Sequence, residues 1–411
     1  MLGLSWKSAP LASPSEAAER FVAALAREAE ALGPEVERDE GEARIGLHPS
    51  AGPVLVRVVH DRLVLEADTG TAGPGYHEAL VGLADRAARD AGLTWVEGRA
   101  PFDREAVEAE LDAWLARTAT DILELARRGA VGFGILLPEG IEYVHDGVVA
   151  TPLGPRDRLW LERVAKSGRE GRDVFAWWEP GLGAGYHAGL ARALAWTEVR
   201  WRAPIDDRER ALLDRIVTAI ERAHGLDPAR ELPWVEAAEI YELLGESSLR
   251  ATRAGVLAEA ARKRVGARRI GYRRGPVRVS LSGGWSLVVP GELAERWEER
   301  GTWVGWDRTR TVWMSSLTAE GTRDTEVVLA GLPEIAGDGD LLRMERGPIL
   351  GHARFATDEE DGKRVVVMRA HAACGPHVAL GTIVLPEDAD RTWALETWGT
   401  LDRDDGGEPA S

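Results

Sequence analysis

The residues best placed to do chemistry in this chain sit in two short echoes: Gly73-Pro74-Gly75-Tyr76-His77 and Gly183-Ala184-Gly185-Tyr186-His187. Glycines ahead of a helix permit positive φ and leave the first backbone N–H groups open, a combination that suits an anion. A histidine in the first helical turn could donate to a bound phosphate or carboxylate. Tyr76, His77, Tyr186 and His187 are therefore candidate ligand-binding residues, with Glu179 as a nearby carboxylate. The pattern is neither a phosphate-binding loop nor a dinucleotide fingerprint, because the later glycines and the Gly-Lys-Ser/Thr ending are missing. The plainer expectation is a strand–helix corner whose Tyr and His pack or hydrogen-bond locally in both places. If only one echo is functional, it is the second, where Trp177, Trp178 and Glu179 stand in place of Ala67, Asp68 and Thr69.

Three further patterns carry chemistry on paper. His60-Asp61 and His145-Asp146 resemble metal-binding doublets, but both stand between extended runs, where Asp favours turns. His371, Cys374 and His377, with His352 farther off, could form a metal cluster or a Cys/His nucleophile pair. Gly375-Pro376 reads instead as a hairpin turn, and residues 371 and 374 point to opposite faces of a strand. No metal and no cofactor is expected.

Residues 250–278 hold ten Arg or Lys against Glu259 alone, inside a chain of net charge −17. Within that run Arg262, Lys263, Arg264, Arg268, Arg269, Arg273 and Arg274 are the candidate interaction surface. Two helices around Gly245 could be read as a helix-turn-helix whose arginines meet phosphates. The competing expectation is that these arginines dock on the protein's own carboxylates or on an acidic partner. Nucleic acid and anionic membrane are disfavoured by the charge of the whole.

These residues need elements to hold them. Apolar residues make up 44% and charged residues 29%, a globular composition, and 411 residues exceed one ordinary core. Ser13 opens a helix that Gly33-Pro34 stops. Extended runs follow at 43–47, 54–59 and 63–66, then a helix from the first Gly-x-Gly-Tyr-His, a short strand at 93–96, and a long helix after Arg99-Ala100-Pro101-Phe102-Asp103. The order then recurs. Residues 131–150 read as extended, 156–166 as a helical insert and 174–178 as a strand. A helix starts from the second echo, and another long one follows Arg202-Ala203-Pro204-Ile205-Asp206. Two echoes in the same order, each before a helix, predict an internal duplication.

Beyond residue 226 the pattern predicts helices at 235–244 and 248–265, then strands at 269–272, 277–281, 285–289, 302–306, 311–317, 325–329, 349–355, 364–374 and 378–385. Helices are expected at 291–299 and 388–398. The fold class expected is α+β: two related N-terminal α+β units, a helical connector and a β-rich C-terminal α+β domain. The boundaries are 1–12 flexible tail, 13–128 first unit, 129–225 second unit, 226–267 basic connector, 268–401 C-terminal domain and 402–411 flexible tail.

The chain has one cysteine, and 47 of its 51 cationic residues are arginines. This points to a bacterial cytoplasmic protein, with no leader peptide expected in residues 1–10 and no membrane span. Sixteen tryptophans against five tyrosines and five phenylalanines suggest that Trp serves as the large core filler. The function expected is a non-catalytic protein-binding or assembly protein, its partner another protein or a second copy of itself. The alternatives are a hydrolase or phosphate-handling enzyme using a Gly-x-Gly-Tyr-His corner, and a DNA-binding regulator using residues 250–278.

Overall fold

The computed structural model describes residues 2–39, 41–99, 102–137, 148–265, 270–298, 301–337, 340–360, 362–387 and 391–403. The protein is α+β. It divides into two compact units. One comprises the described residues within 1–139, 143–199 and 206–271; the other comprises those within 200–205 and 272–411.

The first unit opens on β1 (Gly3–Ser8) and α1 (Pro14–Glu28). Then come β2 (Glu35–Asp39), β3 (Glu42–Gly46), β4 (Val54–Val59) and β5 (Arg62–Asp68), followed by α2 (Pro74–Ala91), β6 (Trp95–Glu97) and α3 (Arg104–Arg127). The six strands form one antiparallel sheet in the order β2-β3-β4-β5-β1-β6. Residues 3–8 lie in the segment expected as a flexible tail, and this is corrected: β1 sits in the sheet interior. Leu4, Trp6 and Ser8 face the core in strict alternation, and backbone bonds to β5 hold the strand. The strand β2 carries little strand signal in the sequence, because four of its five residues, all but Val36, are charged, and it guards a sheet edge.

The unit continues with β7 (Phe133–Gly134), β8 (Val148–Thr151), β9 (Gly154–Asp157), α4 (Arg158–Lys166), α5 (Ala184–Thr197), α6 (Asp207–Leu226), α7 (Trp234–Leu244) and α8 (Leu249–Val265). A small sheet pairs β7 parallel to β8 and β8 antiparallel to β9. Aspartates cap three helix starts. Asp103, Asp157 and Asp206 accept from the N–H groups of Ala106, Trp160 and Glu209 at 3.1, 2.9 and 2.8 Å. The expected strand at 174–178 is not one. Gly168–Val174 forms 3-10 turns, and the residues after them run on as irregular chain. Gly171 explains this: a Cβ there would press on Val164 at 2.9 Å, so the segment folds tightly over α4 instead of pairing in a sheet.

The second unit holds β10 (Pro276–Ser280), β11 (Trp285–Pro290), β12 (Ala294–Glu298), β13 (Thr302–Trp306), β14 (Thr311–Thr318) and α9 (Thr325–Gly331). After these come β15 (Leu342–Arg346), β16 (Ile349–Glu360), β17 (Lys363–Cys374), β18 (His377–Pro386), α10 (Thr392–Gly399) and β19 (Asp402–Arg403). Seven strands form an antiparallel sheet, β12-β13-β14-β18-β17-β16-β15, and three form a second, β10-β11-β19. Its core gathers Trp285, Leu287, Trp303, Val312, Met368, Ile383 and Trp398.

Four expectations fail here in whole or in part. The helix expected at 291–299 is β12: its Glu, Arg and Ala suit a helix, but pairing with β13 places Trp297 opposite Trp303 and overrides that preference. The strand expected at 325–329 is α9. The Asp324 carboxylate accepts from the N–H groups of Glu326 and Val327 at 3.0 and 3.3 Å, and that cap outweighs the β-branched run. The strand expected at 269–272 gives way to a 3-10 turn at Tyr272–Arg274, with residue 269 outside the described residues. Of the tail expected at 402–411, residues 402–403 form β19 and the rest lie outside the described residues.

Candidate functional site

The two Gly-x-Gly-Tyr-His corners begin α2 and α5, and both close on the same segment, residues 175–179. Trp177 N–H donates to the Ala72 carbonyl at 2.9 Å, and Gly75 N–H donates to the Trp177 carbonyl at 3.0 Å. A Cβ on Gly73 would stand 2.9 Å from the Trp177 carbonyl, and one on Gly75 would stand 2.7 Å from Trp177 Cδ1. Gly73 also needs its φ of 110°. From the other side, a Cβ on Gly185 would meet a Glu179 carboxylate oxygen at 2.9 Å, and one on Gly189 would overlap the Ala176 carbonyl. The glycines thus let two helix starts approach one strip of backbone. They do not leave α2 with open N–H groups: Gly75 donates to Trp177, and Tyr76 and His77 donate to the Gly73 carbonyl at 3.1 and 3.3 Å.

The side chains follow from that clamp. Trp177 lies 4.5 Å from the Tyr186 ring, 5.8 Å from Tyr76 and 6.0 Å from His48, centroid to centroid. His48 in turn lies 6.3 Å from Tyr76 and 6.0 Å from Tyr186. The tyrosines of both echoes therefore share one aromatic cluster, and all four of its rings, Tyr76, Trp177, Tyr186 and His48, are buried. Trp177 Nε1 donates to the Gly181 carbonyl at 3.0 Å.

The histidines part company. His77 is buried, stacks on Phe102 at 4.7 Å, and shares a hydrogen bond of 2.8 Å between its Nδ1 and Thr69 Oγ1. Burial lowers its pKa below the ordinary imidazole value. His187 is half-exposed, packs its ring 5.0 Å from Tyr186, and has its pKa lowered by burial and by Arg222. Glu179 is exposed and pairs with Arg230 at 3.2 Å, so its carboxylate answers a cation and the start of α5. Trp178 turns aside, 5.2 Å from Phe175, with the Arg172 guanidinium 4.4 Å from its ring centroid. Arg172 also forks onto Asp112 at 2.7 and 2.8 Å.

His48 is the residue the sequence does not mark. It lies alone in the loop after β3, and its partners come from α2, α5 and the 175–179 segment, so no local spacing announces it. Ser50 N–H donates to its Nδ1 at 3.1 Å, which fixes the ring proton on Nε2. Burial first, and the Arg215 charge second, push its pKa down to about 3.

The other candidates disperse. His60 and Asp61 make the turn between β4 and β5, with His60 at φ 58°; His145 and Asp146 lie outside the described residues. His371 stands opposite His352 across β17 and β16, while Cys374 is buried and faces His377 across the Gly375-Pro376 turn. Among the described residues no three His, Cys, Asp or Glu side chains gather as a metal site.

In the basic run, Arg250 and Arg253 reach Glu221 at 3.5 and 3.3 Å, and Arg262 reaches Glu259 at 3.3 Å. Arg273 corrects the expectation of an interaction surface: it is 7% exposed and buried in an ion pair with Glu295. Arg274 lies over the Trp201 ring at 3.4 Å. Lys263 and Arg264 belong to α8, but their side chains fall outside the described residues, as do Arg268 and Arg269 altogether.

No helix among the described residues is long and apolar enough to cross a membrane. No family model matches the chain, and no curated protein matches it. A solved structure from Bacteroides thetaiotaomicron VPI-5482 is 15% identical, with a TM-score of 0.27 over 33% of this chain. The match spans half the length of that protein, and a likeness this slight carries no functional argument.

Proposed function

We propose that the chain is a non-catalytic protein-binding or assembly protein of the bacterial cytoplasm, and that it docks its partner on the outer face of α8. The observation that supports this is a pair of exposed apolar side chains. Leu249 is 89% exposed and Val256 68%, and their spacing of two turns puts them on one helix face, with Arg253 between. Ala254 and Ala258, on the opposite face, are buried. An apolar pair set among arginines suits an apolar surface rimmed by carboxylates. A second copy of this chain carries the net charge of −17 that arginines would favour, and self-association is the form of the reading we favour.

Two rival readings are less well supported. The α2 corner has its N–H groups engaged and its histidine tied to Thr69, which argues against phosphate handling there. Arg250, Arg253, Arg262 and Arg273 already meet carboxylates of their own chain, which argues against a phosphate-reading surface. The proposal also treats residues 43–128 and 131–225 as copies of one ancestral unit. Its support is the echoed corners, each starting a helix and each burying its tyrosine against Trp177.

The test is light scattering across a concentration series, with wild type beside the double variant Leu249→Glu, Val256→Glu. Wild type is expected to associate and the variant to remain monomeric, with the two melting alike at concentrations where wild type is itself monomeric, because both positions are exposed. A photo-crosslinker at Val256 reports the partner directly. A wild type that stays monomeric and yields no protein adduct from cells overturns the reading.

A further inference from the structure

The aromatic cluster between the two corners holds polar atoms that no described residue pairs with. His48 Nε2 and Tyr76 Oη are both buried without a hydrogen-bond partner, and their rings lie 6.3 Å apart. The two loops that carry the cluster add Ser50 Oγ and Thr71 Oγ1, also buried and unpartnered. Buried polar groups are nearly always paired, and four orphans on the loop after β3 and at the start of α2 concentrate a cost that most folds avoid. Their chemistry is one-sided. Because Ser50 N–H occupies His48 Nδ1, the Nε2–H is an obligatory donor, and the three hydroxyls can donate as well. Among the described residues none of the four has a hydrogen-bond partner.

We propose that this cluster is a binding site for a small oxyanion, a carboxylate or a phosphate group, whose oxygen accepts from His48 Nε2–H and Tyr76 O–H. Charge supports an anion over a neutral acceptor. Arg215 on α6 adds positive potential at His48 and at Tyr186, and Arg222 does so at Tyr186 and His187. Trp177, Tyr76 and Tyr186 supply apolar walls that strengthen hydrogen bonds by excluding water. The partly exposed His187 packs against Tyr186 at the edge of the cluster, whose other rings are buried. This site uses no residue of the α8 face and stands or falls apart from that proposal.

The test uses the full chain and two probes, acetate and inorganic phosphate. Imidazole nitrogen NMR follows the His48 Nε2 resonance, and thermal unfolding follows stability. One or both anions are expected to shift that resonance saturably and to raise the melting temperature. Acetate alone identifies a carboxylate site, and phosphate alone a phosphate site. Tyr76→Phe keeps the ring and removes one donor, so it is expected to weaken the response about tenfold or more, because a hydrogen bond to a charged group is lost. In protein without either anion the same variant is expected to melt no lower than wild type, because an orphaned hydroxyl has gone. A resonance indifferent to both anions, as a cluster bridged only by water would give, overturns the proposal; so does a Tyr76→Phe variant that binds as tightly as wild type.

Discussion

The burial of His48 makes the stability of the first unit depend on pH in a direction that follows from its lowered pKa. Folded, its imidazole is buried beside Arg215 and stays neutral down to about pH 3. Unfolded, it returns to the ordinary value of 6.5. Between those two values the unfolded chain binds a proton that the folded chain refuses, so acid favours unfolding. The contribution is intact above 6.5 and is lost progressively as pH falls toward 3. With each unit of pKa difference equivalent to about 1.4 kcal/mol, the drop from neutral pH to about pH 5 removes about 2 kcal/mol. The perturbation is His48→Gln, which keeps an oxygen to accept from Ser50 N–H and an amide to donate, but does not titrate. Other histidines with lowered pKa, His77, His187, His352 and His371, act alike in both proteins and cancel in the difference. The assay is denaturant unfolding of wild type and variant at both pH values. The stability gap between them is expected to move by about 2 kcal/mol in the variant's favour at the lower pH. A gap independent of pH, or an NMR titration of His48 near its ordinary value, refutes the reasoning.

Further outcomes follow from the clamp and from the second unit. Gly75→Ala forces a methyl against Trp177 Cδ1 and the Glu179 carbonyl and is expected to lower stability by about 3 kcal/mol in denaturant melts, since backbone must shift to admit it. Trp177→Ala, which empties the centre of the cluster, is expected to lose about 3–5 kcal/mol in the same assay. His77→Ala leaves Thr69 Oγ1 unpartnered and is expected to lose about 1–3 kcal/mol, whereas His187→Ala changes stability by about 0.5 kcal/mol or less; the reverse ranking shows that the closed and open corners are misassigned. Protein purified without chelator is expected to hold no zinc attributable to Cys374. A stoichiometric zinc lost on Cys374→Ala contradicts this.

Much of the fold is legible where local signals agree. Alternating apolar runs give β4, β5, β10, β13, β14 and β18 within a residue or two, and Asp103 and Asp206 announce the starts of α3 and α6. What fails locally is decided by distant partners. The strand β1 reads as a tail because its six residues acquire meaning only beside β5, some sixty residues on. The strand β12 looks helical until β13 pairs with it. The site shows the same division. The Tyr-His corners stand out as repeats, and the expectation that glycines build the corners is supported by how tightly both helix starts meet residues 175–179. Their common target and the loop histidine at their centre are invisible along the chain, because convergence of segments far apart in sequence leaves no periodicity behind. The basic run looks like a surface in composition, yet Arg273 is buried; its carboxylate, Glu295, comes from a later strand.

The bond from Trp177 N–H to the Ala72 carbonyl also sets an order of events during synthesis. Ala72 and Gly75 leave the ribosome roughly a hundred residues before the backbone they pair with, and closing so long a loop must wait for that segment whatever the strength of the final contact. At about 5–20 residues per second the wait is some five to twenty seconds. Throughout it, the nascent N-terminal sheet carries a tyrosine, two backbone groups and a glycine corner with nothing to close on. The half-made protein therefore leaves open to mispairing and proteolysis a place that is sealed once the chain is complete.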